Sequence, residues 1–248
     1  VALATEACLR NGITSFHDAG SSFDTVERLR TLDQEHRLGV RLWIMVSEDN
    51  AELAQRIDTY TQQGSDFLKV GGIKRFMDGA LGSHGAWLLE PYSDLPDSSG
   101  LQTSTLESLR ETAEIAARHN VQLCIHAIGD RANREVLNLY EATFAKFPTA
   151  ASRRWRIEHA QHLHPDDIPR FAKLGIIPAM QGIHCTSDAV FVVDRLGEQR
   201  AREGAYAWRA LLESGAIIVN GTDGPVEDID PIASYYASVT RRLDDGTT

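Results

Sequence analysis

Only three cysteines, Cys8, Cys124 and Cys185, occur in the 248 residues. They are far apart, odd in number and in no CxxC pair. That argues against a disulfide framework or a thiolate zinc site, and it suits a reducing, cytoplasmic setting. Long apolar runs are missing too, and none approaches the roughly 18 residues needed to span a bilayer. Positive charge is scarce, with 25 Lys and Arg against 35 Asp and Glu, for a net charge of -10. Nucleic acid and anionic membrane are therefore poor partners, since both demand a concentrated positive field. No GxGxxG follows an early strand, so the dinucleotide fingerprint is absent. The chain opens at Val1, without Met and without the basic-then-apolar pattern of a targeting peptide. It starts on a helix signal over residues 2–10 with no strand before it, and is expected to be a fragment of something longer.

What is present is a repeated unit. From Val121 the residues alternate, with Val121, Leu123 and Ile125 on one face and Gln122, Cys124 and His126 on the other, which is the pattern of a strand. After Gly129 the period changes. Ala132, Val136, Leu137, Tyr140 and Phe144 fall at helical spacing, and Asp130 is suited to cap that helix. His126 then stands at the carboxyl end of a strand, where parallel α/β folds bind their ligands.

The same unit recurs. Strand signals occupy 13–18, 40–46, 67–77, 156–160, 176–180 and 217–221, with helix signals at 24–37, 50–63, 104–120, 165–175, 205–213 and 232–242. Ser104-Thr105-Leu106-Glu107 reads as a capping box, Pro165 and Pro231 as first helical residues, and Gly175 as a helix stop. Segments 78–100 and 181–204 read as long loops, and long loops in compact domains tend to be functional. Seven βα units behind an orphan helix are what remains of an eightfold barrel whose first strand lies upstream. Residues 1–248 are thus expected to form one incomplete α/β domain, a (β/α)8 TIM barrel with strands 2 to 8. An open doubly wound sheet is the rival, and the missing nucleotide fingerprint counts against it.

The strand ends carry His17 and Asp18, Lys74 and Asp78, His126, Glu158 and His159, and Asp223. One histidine at a strand end is usually a hydrogen-bonded structural residue. Several on successive strands converge on one barrel mouth, and imidazole with carboxylate is a ligand set suited to zinc or a similar divalent ion.

Four segments together make the chain resemble the amidohydrolase superfamily, specifically amidohydrolase family 3. They are Lys74-Arg75-Phe76-Met77-Asp78-Gly79-Ala80-Leu81-Gly82-Ser83, Ile125-His126-Ala127-Ile128-Gly129-Asp130-Arg131-Ala132, Arg156-Ile157-Glu158-His159-Ala160-Gln161 and Gly221-Thr222-Asp223-Gly224-Pro225-Val226. The resemblance implies a metal-dependent hydrolase of small-molecule amides or other non-peptide C–N substrates, in a family that includes deacylases and N-substituted formamide deformylase-like enzymes. It implies one or two divalent ions, zinc first among them. His126 and His159 would be metal ligands, Asp223 both ligand and proton acceptor, and Lys74 a ligand only if carboxylated, because an ammonium has no lone pair. His184, in Gln181-Gly182-Ile183-His184 where the family has Gln-Pro-x-His, would hold the oxyanion. The family's first-strand His-x-His and its small β-sandwich are absent.

Asp78 and Asp130 read as a strand-end cap and a helix N-cap. Trp87, Leu88, Leu89, Pro91 and Tyr92 either wall an apolar substrate pocket or pack beneath their loop. His162 and His164 sit at a helix start and read as solvated, whereas His84 follows a glycine-rich turn near the mouth. Two readings from other classes stay open: a Schiff-base lyase on a desolvated Lys74, and a barrel without activity that binds a partner. Isolated, the chain is expected to be inactive, weak in metal binding and prone to self-association through open sheet edges.

Overall fold

In the computed structural model, which describes residues 1–243, 246 and 247, seven strands form one sheet in chain order. They are β1 (Ser15–Ser21), β2 (Arg41–Val46), β3 (Leu68–Phe76), β4 (Gln122–Ala127), β5 (Arg156–His159), β6 (Ile177–Gln181) and β7 (Val219–Gly221). Every neighbouring pair is parallel. A doubly wound sheet reverses its strand order partway. This one never does, so each crossover advances in the same direction and the sheet curls into an incomplete (β/α)8 barrel. Among the described residues, no helix is long and apolar enough to cross a membrane.

Helix boundaries follow local chemistry. Asp49 caps Asn50–Thr61 by accepting from the Glu52 amide at 2.9 Å, and Asp230 caps Pro231–Thr240 in the same way. The cap of Leu106–Arg118 falls on Thr105, whose Oγ1 accepts from the Ser108 amide at 3.2 Å, and not on Ser104. Asp130 is not an N-cap either. Gly129 holds that position, and Asp130 Oδ1 accepts from Leu89 N at 2.8 Å, because the 78–100 loop lies against this helix start and its amide needs an acceptor. Segment 181–204 is not irregular. It holds four short helical turns, His184–Ser187, Asp188–Val190, Val192–Leu196 and Glu198–Gly204, each too short to show an apolar period.

The pleat sorts side chains into two environments. Ile73, Leu123, Ile125 and Ile157 join the main apolar core under the helices. Lys74, Phe76, Cys124, His126, Arg156 and Glu158 alternate with them and face into the barrel. There the buried Arg156 donates to Glu158 Oε1 at 2.7 Å and meets His17 Nδ1 at 2.9 Å, with its guanidinium over Trp43. His17 is thus occupied at the barrel floor, where burial and the Arg156 charge lower its pKa. Trp43 lies across Gly71 and Gly72, and a Cβ on Gly71 would fall 2.2 Å from the indole nitrogen. The register of β2 with β3 slips at this point, from Ile44 opposite Val70 to Met45 opposite Gly72, which restores the barrel side to Lys74.

His162 departs from the solvated reading. It is 2% exposed, with its ring edge-on to Tyr206 at 5.5 Å, because the chain after β5 turns inward and His162 N donates to Ile128 O. Neither ring nitrogen has a hydrogen-bond partner among the described residues, and burial drops the pKa from 6.5 to about 3. The folded state therefore keeps this imidazole neutral while the unfolded chain protonates it. Stability should fall as pH drops from about 6.5 towards 3, by about 1.4 kcal/mol per unit. The loss between pH 7 and pH 5 should be about 2 kcal/mol smaller in His162→Phe, measured by urea unfolding. An equal loss in both proteins would reject the buried neutral imidazole.

Candidate active site

His126, the last residue but one of β4, faces the barrel side, as its alternation requires. His159 ends β5 with the wrong parity, since its neighbour but one, Ile157, packs under the helices. Two left-handed residues resolve this, His159 at φ +73° and Ala160 at φ +43°, which turn the chain out of the strand. The imidazole is brought edge-on to His126, with ring centroids 4.5 Å apart. Asp223, just past β7, is also left-handed, at φ +57°. Such conformations cost on the order of 1–3 kcal/mol per non-glycine residue and gather at functional sites. His184, from the turn after β6, completes the group: one donor atom from each of His159, His184 and Asp223 lies within 4.8 Å of the others.

Hydrogen bonds decide which nitrogens are free. Gln181 Nε2 donates to Ala179 O at 3.0 Å, so its Oε1 faces His159 Nδ1 at 2.7 Å and accepts a hydrogen bond from Nδ1–H. His159 Nε2 is therefore the lone-pair nitrogen. Burial first, and then electrostatic repulsion from the surrounding basic side chains, hold the His159 pKa well below 6.5 and keep the ring neutral. Replacing Gln181 with leucine should release the tautomer and weaken divalent-metal binding by about 10–100-fold. Histidine 15N spectra of the metal-free protein test the first effect and isothermal titration with zinc the second. An unmoved 15N pattern would reject the role of Gln181.

His126 Nε2 is buried and makes no hydrogen bond among the described residues, although Asp78 Oδ1 lies 3.4 Å away. It is a second available imidazole donor. His184 is different, with Nδ1 3.1 Å from Glu227 Oε1 and Nε2 3.2 Å from Asp223 Oδ2. Burial opposes its protonation, but the Asp223 hydrogen bond and charge, joined by Glu227, outweigh it and raise the pKa. Both of its ring nitrogens are thus engaged by carboxylates, and a metal would have to displace one of them to use His184 as a ligand. Lys74 is 3% exposed and burial lowers its pKa to about 8, against the pull of Glu158 and Asp223. Its Nζ sits 3.6 Å from the centre of the Phe76 ring.

Other candidates lie outside this group. Asp78 accepts from Trp87 N, Ile128 N and Gly129 N at 2.8–3.0 Å and ties the long loop to the end of β4. Leu88 and Tyr92 are buried in a small separate core with Leu81, Ala86, Ile128 and Leu196, so both pack beneath their loop. His84 pairs with Asp94 at 3.0 Å, and His164 Nδ1 accepts from Asp166 N at 3.2 Å. Sequence reasoning missed Glu227, which lies in an aperiodic stretch, and the part played by Gln181, whose side chain acts through a carbonyl two residues back.

The chain matches the model of the amidohydrolase family across residues 1–246. It is 40% identical over 188 residues to the protein LONG AFTER FAR-RED 3 of Arabidopsis thaliana, covering 75% of this chain and 32% of that one. It is 24% identical over 237 residues to the N-substituted formamide deformylase of Arthrobacter pascens, covering 93% and 43%. The crystal structure of an uncharacterized metal-dependent hydrolase from Pyrococcus furiosus superposes with a TM-score of 0.83 at 30% identity, covering 95% of this chain and 48% of that one. The chain thus spans about a third to a half of the length of these proteins. The family pattern runs from the first helix to beyond the last, through every strand that contributes to the mouth, and this chain belongs to the amidohydrolase family.

Proposed function

We propose that this chain carries most of the catalytic barrel of a metal-dependent hydrolase that cleaves amide or formamide-like C–N bonds with an activated water. The observation that supports it best is the His159 imidazole, neutral, with Nδ1 committed to Gln181 and a donor atom within 4.8 Å of one from Asp223. With His126 it makes two imidazoles and a carboxylate, a donor set that suits zinc. His126, His159 and Asp223 would hold the ion, joined by Lys74 if carboxylated. A pKa near 8 favours that modification, because only the neutral amine reacts with carbon dioxide. When bound, a divalent ion of this kind supplies a water of lowered pKa and polarises the scissile carbonyl.

The side chains do the rest. Asp223 accepts a proton from the attacking water and returns it to the leaving nitrogen. His184 Nδ1 is held by Glu227, and its Nε2–H would turn from Asp223 to the carbonyl oxygen as Asp223 takes up the proton of the water and negative charge grows on that oxygen. The formamide deformylase of Arthrobacter pascens supports the bond type, and three free thiols fit a reducing, cytoplasmic setting.

The test uses the full-length protein, stripped with a chelator and reloaded with zinc, on a panel of formamides and simple amides. Hydrolysis restored by zinc is expected; neither metal uptake nor turnover would reject the reading. The buried Lys74 also favours a second reading, a Schiff-base lyase. In the zinc-loaded protein borohydride should trap no carbonyl adduct on Lys74, because a carboxylated Nζ has no amine lone pair left to attack a carbonyl. A trapped adduct would favour the lyase.

A further inference from the structure

We propose that Phe76 is the specificity-determining residue of this site, an aromatic platform on which a flat apolar substituent of the scissile amide nitrogen stacks. The inference rests on the hydrolase reading and adds a substrate class to it: N-aryl amides and formamides, ahead of N-methyl ones.

The placement follows from β3. Arg75 turns to the helix layer, where it donates to Thr112 Oγ1, Asn50 Oδ1 and Glu48 O. Lys74 and Phe76, on either side of it, therefore share the barrel side. Phe76 is the last residue of the strand, at the mouth. Its neighbours there are polar and covered, with Lys74 3% and Glu158 7% exposed. Phe76 is 44% exposed. An apolar ring left open among buried polar groups stabilises nothing by its exposure, and a leucine would cover the Lys74 ammonium as well. What a phenyl ring adds is a flat face.

That face adjoins the proposed reacting centre. The rings of Phe76, His126, His159 and His184 form a continuous row, with successive centroids 5.4, 4.5 and 5.8 Å apart, and the row ends at the His184–Asp223 pair. For a carbonyl seated between His159 and Asp223, a nitrogen substituent directed along this row would pass His126 and meet Phe76 as the apolar surface at its end. Lys74 Nζ lies over the Phe76 ring, 3.6 Å from its centre, and His126 is tilted by 40° against it, so the ring is held by contacts in place and need not be ordered by the ligand.

The test compares kcat/KM of the full-length zinc-loaded protein for N-phenylformamide and N-methylformamide. Phe76→Leu keeps an apolar cover over Lys74 and loses the flat face. It should reduce the phenyl preference about 10-fold through KM, leaving N-methylformamide unchanged, and Phe76→Trp should keep the preference. Equal losses on both substrates would overturn the platform and leave Phe76 as a cover for Lys74. If the wild-type protein hydrolyses neither, the hydrolase reading fails by itself, and binding decides the platform. With 4-fluorophenylalanine at position 76, the 19F resonance should shift saturably with N-phenylformamide and not with N-methylformamide. No shift with either overturns it.

Discussion

On the proposed function, exchanging Asp223 for asparagine in the full-length protein is expected to slow amide or formamide hydrolysis by about 10²–10⁴-fold while leaving the unfolding midpoint where it was. The amide is nearly isosteric, and asparagine tolerates the left-handed φ of +57° better than most residues, so the turn after β7 should survive. What disappears is the carboxylate that would take the proton of the attacking water. A second effect follows from the 3.2 Å contact with His184 Nε2. Asp223 is the foremost group raising the His184 pKa, so the substitution should move the His184 titration to lower pH, with Glu227 left as its remaining carboxylate. Steady-state kinetics and a histidine NMR titration measure the two effects separately. Full turnover in Asp223→Asn would remove Asp223 from the mechanism, and an unmoved His184 titration would show that the pair does not persist in solution.

The largest loss of stability should come from Asp78→Ala. Asp78 is 2% exposed, and its two oxygens accept from the amides of Trp87, Ile128 and Gly129. Alanine leaves two buried donors and one half-buried donor without an acceptor, each costing about 1–3 kcal/mol, so a total of about 3–5 kcal/mol is expected after partial relaxation. Asparagine should recover part of this, since its carbonyl oxygen still accepts while its NH2 faces donors. Ile128 and Gly129 lie two and three residues after His126, so zinc affinity should fall along with stability. Urea unfolding of the three proteins gives the stability term, and a loss below about 1 kcal/mol in Asp78→Ala would mean that the loop and the end of β4 hold each other without the carboxylate.

Most of the fold was legible in the residues taken one after another. Period-two and period-3.6 patterns are local properties, and they placed all seven strands within two or three residues of where they lie, along with the long helices between them. The misplaced features are those in which a distant segment competes for a local group. Asp130 is drawn away from its own helix by Leu89, His162 is buried by the inward turn after β5, and the turns of 184–204 are held by contacts with other loops, such as Arg195 with Asp94 and Gly82.

The division at the site is equally physical. Sequence alone determined the strand-and-helix order and the parallel barrel class, and it nominated His126, His159, His184, Lys74 and Asp223 as candidate site residues, because each lies on or just after a segment with a readable period or motif. It could not assign their states. His159 reaches the mouth through a left-handed turn against its parity, its tautomer is imposed by Gln181 through the Ala179 carbonyl, and the His184 pKa is raised by carboxylates 39 and 43 residues away. Protonation and tautomer depend on burial and on hydrogen-bond partners across the fold, which exist only once β5, β6 and β7 lie side by side and bring those groups within a few ångströms of one another.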